Sequence, residues 1–391
     1  MKALVIAPVP FFTPRGTPFS VYYRALVMAE QGVEIDLLTY GQGQDVEIPG
    51  CRTIRIPRFG FLGPVKVGPS LLKLFLDGWM VLWTVGLLLR NRYAFVHAHE
   101  EAVFFCRALK PLFRFKLVYD MHSSLPQQLT NFKFTTSRAL IGAFRLLERS
   151  SLRAAAAVIT ICPDLADYAL SEGVEPERHF LIENSIFEDV RFAQDGDGTQ
   201  DEPAQLPAAP GERPLIVYAG TLEAYQGIDI LVRSFARVRE ERPHARLLVV
   251  GGTPTQVEGF RDLANELSLG DSCVFTGRVP KKAAAAYAAQ ASVLVSPRRQ
   301  GTNTPLKIYE QLASGIPLVA TNIWSHTQVL TDSVCFLVEP DPESMAQGLL
   351  RALNDQAARE RVVAAALELY ETEYSRARYE SKIRQLLEVL R

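Results

Sequence analysis

Short apolar or β-branched runs alternate with longer amphipathic stretches along nearly the whole chain, and that alternation leaves few folds open. Ala3–Ile6, Glu34–Leu38, Phe95–Ala98, Lys116–Tyr119 and Ala157–Ile161 form one series; Leu215–Tyr218, Arg246–Val250, Ser272–Phe275, Val293–Ser296 and Leu318–Ala320 form a second. Strands separated by helical segments in this way build parallel sheets from βαβ units, and strands that are apolar throughout suit sheets covered on both faces. Between the two series, residues 191–214 (RFAQDGDGTQDEPAQLPAAPGERP) are rich in Asp, Gly, Pro and Gln and show no periodicity, so they read as a linker. The 391 residues accommodate two domains of ordinary size. We expect a first domain over 1–190, a second over 215–373, and a C-terminal helix over 374–391 that packs back on the first. That helix is marked by the spacing of Tyr379, Ile383, Leu386, Leu387 and Leu390. Each domain is expected to be α/β and doubly wound, the two facing across a cleft, with ligands at the carboxyl ends of the strands.

Charge is uneven. The chain has 42 Lys+Arg and 43 Asp+Glu, a net of -1, but residues 1–150 hold 18 and 10, and the remainder 24 and 33. The first part therefore carries a positive field suited to an anionic surface or ligand, while the total argues against a dedicated nucleic-acid binder. With 48% hydrophobic and 22% charged residues, disorder, collagen and a multi-span membrane protein are excluded. The five cysteines are scattered, form no CxxC pair and have no histidine at metal spacing. They read as buried thiols in a reducing compartment, so a cytoplasmic location is expected. The N-terminal run Met1–Ala7 is cut by Pro8 and Pro10 and reads as a buried strand, not a signal peptide.

Three loops could carry chemistry. The first, Pro8–Pro18, follows strand one and leads into a helix at about 19–31; Arg15, Gly16 and Thr17 would form an anion site at the helix start, against the alternative of a loop shaped only by prolines. The second, Tyr218–Gly227, contains Gly220, Thr221 and Gln226, with a parallel case at Gly251 and Gly252, where a ligand could approach the backbone closely. The third is Ser296–Thr321. A loop holding Arg298, Arg299, Gly301, Thr302, Asn303 and Thr304 precedes a helix expected to open at Pro305. Lys307 and Glu310 lie three residues apart on one side of that helix. Arg298, Arg299 and Lys307 could neutralise a pyrophosphate, and Glu310 could accept hydrogen bonds from a diol such as ribose.

The segment Glu310…Ala313-Ser314-Gly315-Ile316-Pro317-Leu318-Val319-Ala320-Thr321 resembles the donor-site signature of the retaining family-four glycosyltransferases of the GT-B fold. Gly220-Thr221-Leu222, Val250-Gly251-Gly252, Phe275-Thr276-Gly277-Arg278-Val279-Pro280 and Glu183-Asn184-Ser185 fall in the family's order. The resemblance covers essentially the whole chain. It implies two Rossmann-like domains, the second binding a nucleotide-sugar donor as substrate, with retention and with neither metal nor cofactor. In such a reaction the sugar gains positive charge and the leaving diphosphate negative charge, so electrostatic stabilisation of the diphosphate is the main task. The family's first glutamate position is Thr302 here, and its basic pair after Gly220 is replaced by Thr221 and Gln226. Similar enzymes carry a histidine near the reacting sugar where His122 lies, just past the strand Lys116–Tyr119. His99 is a second candidate, whereas His97 reads as structural. The expected activity is transfer of a sugar to a lipid-linked or cell-envelope glycan acceptor. The rivals are a nucleotide-sugar epimerase on the same fold and a non-catalytic nucleotide-sugar or glycan-binding protein.

Two segments bear on a membrane. Ser70–Leu89 is the most hydrophobic run, but its uncharged part, Gly78–Leu89, is too short to span a bilayer. Ser70, Lys73, Asp77 and Thr84 draw one polar stripe along it, as expected of a helix in a core or at an interface. A second helix, at about 137–153, aligns Arg138, Arg145, Arg149 and Arg153. It reads either as a solvated arginine face or as one attracted to an anionic membrane, which would place the protein peripherally on the membrane's inner face.

Overall fold

The computed structural model describes residues 1–13, 16–60, 63, 65, 70–126, 137–184, 187, 190 and 213–391. Arg15 and nearly all of the expected linker lie outside them. The chain divides into two compact units, Met1–Asp197 with Arg376–Arg391, and Gly198–Ser375.

The first unit is built on a parallel sheet of seven strands: β1 (Lys2–Ala7), β2 (Glu34–Thr39), β3 (Cys51–Arg55), β4 (Phe95–His99), β5 (Lys116–Met121), β6 (Ala157–Thr160) and β7 (His179–Leu181), in the order 3-2-1-4-5-6-7. The winding reverses between β1 and β4, so connections lie on both faces, as right-handed crossovers require. One face takes helix α1 (Gly16–Glu30) against Val5, Leu37 and Val118; the other takes α2 (Leu71–Arg90), α3 (Ala102–Phe113), α4 (Arg138–Ala154) and α5 (Pro163–Ser171). Coverage on both sides is why the central strands are apolar at every position rather than alternating. The edge strands β3 and β7 escape a hydrophobicity reading because both are short and only partly buried.

The second unit has six parallel strands: β8 (Leu215–Ala219), β9 (Arg246–Val250), β10 (Cys273–Gly277), β11 (Val293–Ser296), β12 (Leu318–Thr321) and β13 (Phe336–Val338), in the order 10-9-8-11-12-13. Its helices are α6 (Ile228–Glu241), α7 (Pro254–Glu266), α8 (Lys281–Ala289), α9 (Lys307–Ala313), α10 (Trp324–Thr327), α11 (Pro342–Asn354) and α12 (Gln356–Leu369). The last helix, α13 (Arg376–Leu390), belongs to the first unit, where Tyr379, Ile383, Leu386, Leu387 and Leu390 are buried in the α1 core. Each fully buried side chain of this kind contributes about 1.5–3 kcal/mol relative to exposure, so α13 is an integral part of that core.

Two expectations need local correction. α1 begins at Gly16, so Gly16 and Thr17 are its first turn rather than a loop ahead of it. α9 begins at Lys307, and Pro305 stands outside it. The polar stripe of α2, whose direction the sequence left open, faces the protein: Thr84 is fully buried, Asp77 accepts a hydrogen bond from Tyr40 at 2.6 Å, and Lys73 reaches Glu101 at 2.8 Å.

Candidate functional site

In the second unit the loops at the carboxyl ends of β8, β9 and β11 meet around Lys307. Its ammonium donates to the Ala219 carbonyl at 2.5 Å and lies 4.4 Å from the centre of the Tyr218 ring. Tyr218 is held in turn by its hydroxyl, which donates to the Thr221 carbonyl at 2.7 Å. This closeness demands glycine. A Cβ on Gly251, at φ +121°, would lie 1.9 Å from the Gly220 carbonyl oxygen, whereas one on Gly220 would displace the Lys307 ammonium. Burial first, and the neighbouring Arg298 second, push the Lys307 pKa down to about 8. An unliganded cation is uncomfortable there, and an anion would restore it.

Arg298 is the second cation. Its guanidinium packs 5.1 Å from the Tyr225 ring centre and donates to the Asn303 carbonyl at 3.2 Å, while its Nε has no hydrogen-bond partner. Burial lowers its pKa. Neither Arg298 nor Lys307 forms an ion pair among the described residues. Arg299, expected beside them, is instead paired with Asp229 on α6, because α6 presents that carboxylate at the loop's edge. Of the three expected cations, Lys307 and Arg298 are therefore the two without an ion pair among the described residues.

The rest of the loop is held from below by His326, which is fully buried. Its Nδ1 donates to the Thr321 carbonyl at 2.8 Å, so its Nε2 accepts from Ser296 Oγ at 3.0 Å. Burial pushes its pKa down to about 4, so it is a neutral structural hydrogen-bonder. Thr321 then reaches the Arg298 carbonyl at 2.5 Å. Thr304 Oγ1 is buried without a partner. Thr302 is exposed, and its carbonyl accepts from Gln328. Gln226 reaches Thr221 Oγ1 at 3.3 Å, so these two polar residues engage each other. Glu310 stands exposed on α9; surrounding protein raises its pKa against the opposing pull of Lys281 and Lys307. Arg278 and Gly252 line a separate recess of about 350 Å³ with Pro254, Val257 and Thr276. A larger cavity, about 980 Å³, is lined by Arg246, Cys273 and Val274 near the opposite, amino ends of β9 and β10, where open parallel sheets do not bind ligands.

In the first unit, residues two apart on adjacent strands converge. His97 and His99 on β4, with Asp120 on β5 and His122 just beyond it, share one face of the sheet, and His99 registers against Asp120. Asp120 Oδ2 lies 2.9 Å from His97 Nε2 and 2.5 Å from Arg24 Nε of α1; its Oδ1 lies 3.2 Å from His122 Nε2. His99 Nδ1 is 3.2 Å from His122 Nε2, and its ring stacks on His97 at 4.6 Å. All these side chains are buried. Burial alone would raise the Asp120 pKa, but Arg24 and the imidazoles outweigh it and hold it well below the carboxylate range. His97 and His99 are held neutral by burial. Spacing in the sequence gave no sign that His97, His99 and Asp120 place three donor atoms within 4.8 Å of one another. Arg24 supplies a positive charge at that oxygen, and the cluster forms a buried hydrogen-bonded network that reaches His122. Arg24, Tyr218, Tyr225 and His326 were missed from sequence. Only Arg24 left a signal there, as a charged residue within an otherwise apolar helix face.

The family profile described as "Glycosyl transferase 4-like domain" matches residues 20–185, and "Glycosyl transferases group 1" matches residues 213–355. A phosphatidyl-myo-inositol mannosyltransferase of Propionibacterium freudenreichii is 24% identical over 370 residues, covering 91% of this chain and 87% of that protein. The structure of sucrose-phosphate synthase from Thermosynechococcus elongatus superposes with a TM-score of 0.71 at 22% identity, covering 99% of this chain and 98% of that one. Anabaena HepE in complex with UDP gives 0.72 at 14% identity, covering 99% and 100%. With one glycosyltransferase profile on each doubly wound unit and enzymes of this architecture matching the chain from end to end, the chain belongs to the glycosyl transferases of group 1, on the GT-B fold.

Proposed function

We propose that this glycosyltransferase moves a sugar from a nucleotide diphosphate donor, held by the second unit, to a lipid-linked or cell-envelope glycan acceptor, held by the basic first unit. The observation that carries the reading is the pair Lys307 and Arg298: two cations that form no ion pair among the described residues, beside a loop whose glycines let the β8 and β9 ends and Lys307 pack closely together. Such a pair is what a leaving diphosphate needs. Preformed positive charge stabilises the negative charge that develops as the glycosidic bond to phosphate breaks. Glu310 would accept hydrogen bonds from the ribose diol, and Thr304 Oγ1, buried and unpartnered, could meet a phosphate oxygen. His122, fixed by Asp120, would hydrogen-bond the sugar being transferred. Gly252 and Arg278 would border the donor's base, and Gly16, Thr17 and His99 would contribute to the acceptor side.

The UDP held by HepE supports a nucleotide donor, and the mannosyltransferase named above supports a lipid acceptor. Retention and independence from metal rest on the likeness of Glu310–Thr321 to the retaining enzymes. A cytoplasmic, membrane-peripheral location follows from such an acceptor. Thermal shift against UDP-, GDP- and ADP-sugars identifies the donor, and proton NMR of the product reports its anomeric configuration. Retention is expected. An inverted product would overturn the mechanism, and conversion of the donor without acceptor would replace transfer by epimerisation.

A further inference from the structure

Helix α2 is inside out. Its buried positions include Thr84 as well as Leu76, Met80 and Leu88, and the charged Lys73 and Asp77 are tied inward to Glu101 and Tyr40. Its exposed positions between Leu71 and Leu89 are Leu71, Leu74, Phe75, Gly78, Leu82 and Leu89, with no polar side chain among them. Leu71 is 79% exposed, Leu82 62% and Leu89 72%. A helix facing water carries the opposite arrangement. The neighbouring helices extend the pattern, with Leu112 on α3 74% exposed and Leu146 on α4 70%.

The charges around this face have one sign. Residues 51–153 hold sixteen Lys and Arg against five Asp and Glu. None of the five acids is exposed: Asp77, Glu100, Glu101, Asp120 and Glu148 all turn inward to named partners. Every exposed charged side chain among the described residues of this segment is an arginine. Arg90 and Arg92, Arg114 and Arg153 sit at three successive helix-to-strand corners, hence along one edge of the sheet beside Leu89 and Leu112.

We propose that α2 lies flat in the headgroup region of an anionic membrane, its leucine face against the acyl chains and the arginine rim on the lipid phosphates. Apolar burial and electrostatic attraction together are what hold interfacial helices. The helix does not cross the bilayer, because Leu76, Met80 and Leu88 are part of the sheet's core and Lys73 and Asp77 are anchored there. A second copy of the chain is the less fitting occupant, since pairing this face with itself would set two arginine rims against each other. The placement deepens the lipid-acceptor reading and rests on it for its purpose. At the helix's start, Lys73 grips Glu101, next to Glu100, which accepts a hydrogen bond from Ser123 beside His122. The lipid surface therefore runs up to the His122 loop.

The test uses the full chain with Trp324→Phe, which leaves only Trp79 and Trp83, both on α2, as fluorescent reporters. Phosphatidylglycerol–phosphatidylcholine vesicles with brominated acyl chains should quench them and co-sediment the protein at low salt; phosphatidylcholine alone should bind it weakly. Leu74→Glu with Leu82→Glu, and separately Arg90→Glu with Arg114→Glu, should each weaken vesicle binding by about tenfold or more. Both pairs lie outside the donor loops, and a far-UV circular dichroism spectrum and melting transition like those of the unsubstituted chain show that each variant is folded. Failure of the unsubstituted chain to bind at low salt overturns the proposal, as does binding that ignores both pairs. So does a homodimer, seen by sedimentation, that Leu74→Glu with Leu82→Glu dissolves. Vesicle binding without any nucleotide-sugar binding would instead defeat the glycosyltransferase reading and leave this surface standing.

Discussion

Replacing Lys307 by methionine keeps the length and apolar stem of the side chain and removes only its charge and hydrogen bonds. The ammonium sits on the Ala219 carbonyl and the Tyr218 ring, with its pKa brought down to about 8 by burial and then by Arg298. A charge-assisted hydrogen bond to a diphosphate oxygen contributes about 1.5–3 kcal/mol. The variant should therefore bind the donor about 10- to 150-fold more weakly by calorimetry. The pH dependence is the sharper readout. In the free protein Lys307 loses its proton as pH rises through about 8, whereas a bound diphosphate favours the protonated form and raises the pKa again. Donor affinity of the unsubstituted chain should thus fall as pH rises from 8 towards 10, by up to about tenfold per unit, and binding there should take up a proton. Calorimetry in buffers of different ionisation enthalpy measures that uptake. In Lys307→Met both the slope and the uptake should vanish. Unchanged affinity, or a variant that keeps the slope, would refute the assignment.

Three further substitutions probe the rest of the structure. Glu310→Ala should weaken donor binding by about tenfold or more if its carboxylate holds the ribose diol; titration with the bare nucleotide checks this, and equal affinity would remove Glu310 from the site. Gly251→Ala places a Cβ 1.9 Å from the Gly220 carbonyl oxygen at φ +121°, so it should lower both the melting temperature and donor affinity, and a neutral result would show that the loop packing is looser than described. Arg24→Met leaves Asp120 buried without its cation and should cost about 3–5 kcal/mol of stability in urea titrations; restoration by a second change, Asp120→Asn, would locate the cost in the uncompensated charge.

Much of the architecture was legible because both sheets are covered on both faces, which makes their central strands continuous apolar runs. β9 and β11 were placed to the residue, and eight others within two. The strands not seen, β3, β7 and β13, are three to five residues long and at least partly exposed, so neither a long run nor an alternation marks them. The donor loops were found from glycine and cation spacing, but the partners that decide each cation's role were not. Arg299 pairs with Asp229, seventy residues away in sequence, while Lys307 and Arg298 rest on Tyr218 and Tyr225. The His97–His99–Asp120–His122 network was written in the sequence as polar residues two apart at the ends of neighbouring strands, yet strand register was needed to join them. For α2 the polar stripe was visible, but which way it faced was not.

The central claim is that this chain transfers sugar from a nucleotide diphosphate to an acceptor. Its most direct test is the rate of nucleoside diphosphate release from the nucleotide sugar that thermal shift selects, measured with and without a lipid-linked glycan acceptor. Release that requires acceptor, matches the sugar incorporated and is lost in Lys307→Met is the predicted result. Donor binding with no release under either condition, or release that leaves the acceptor unmodified, would contradict it.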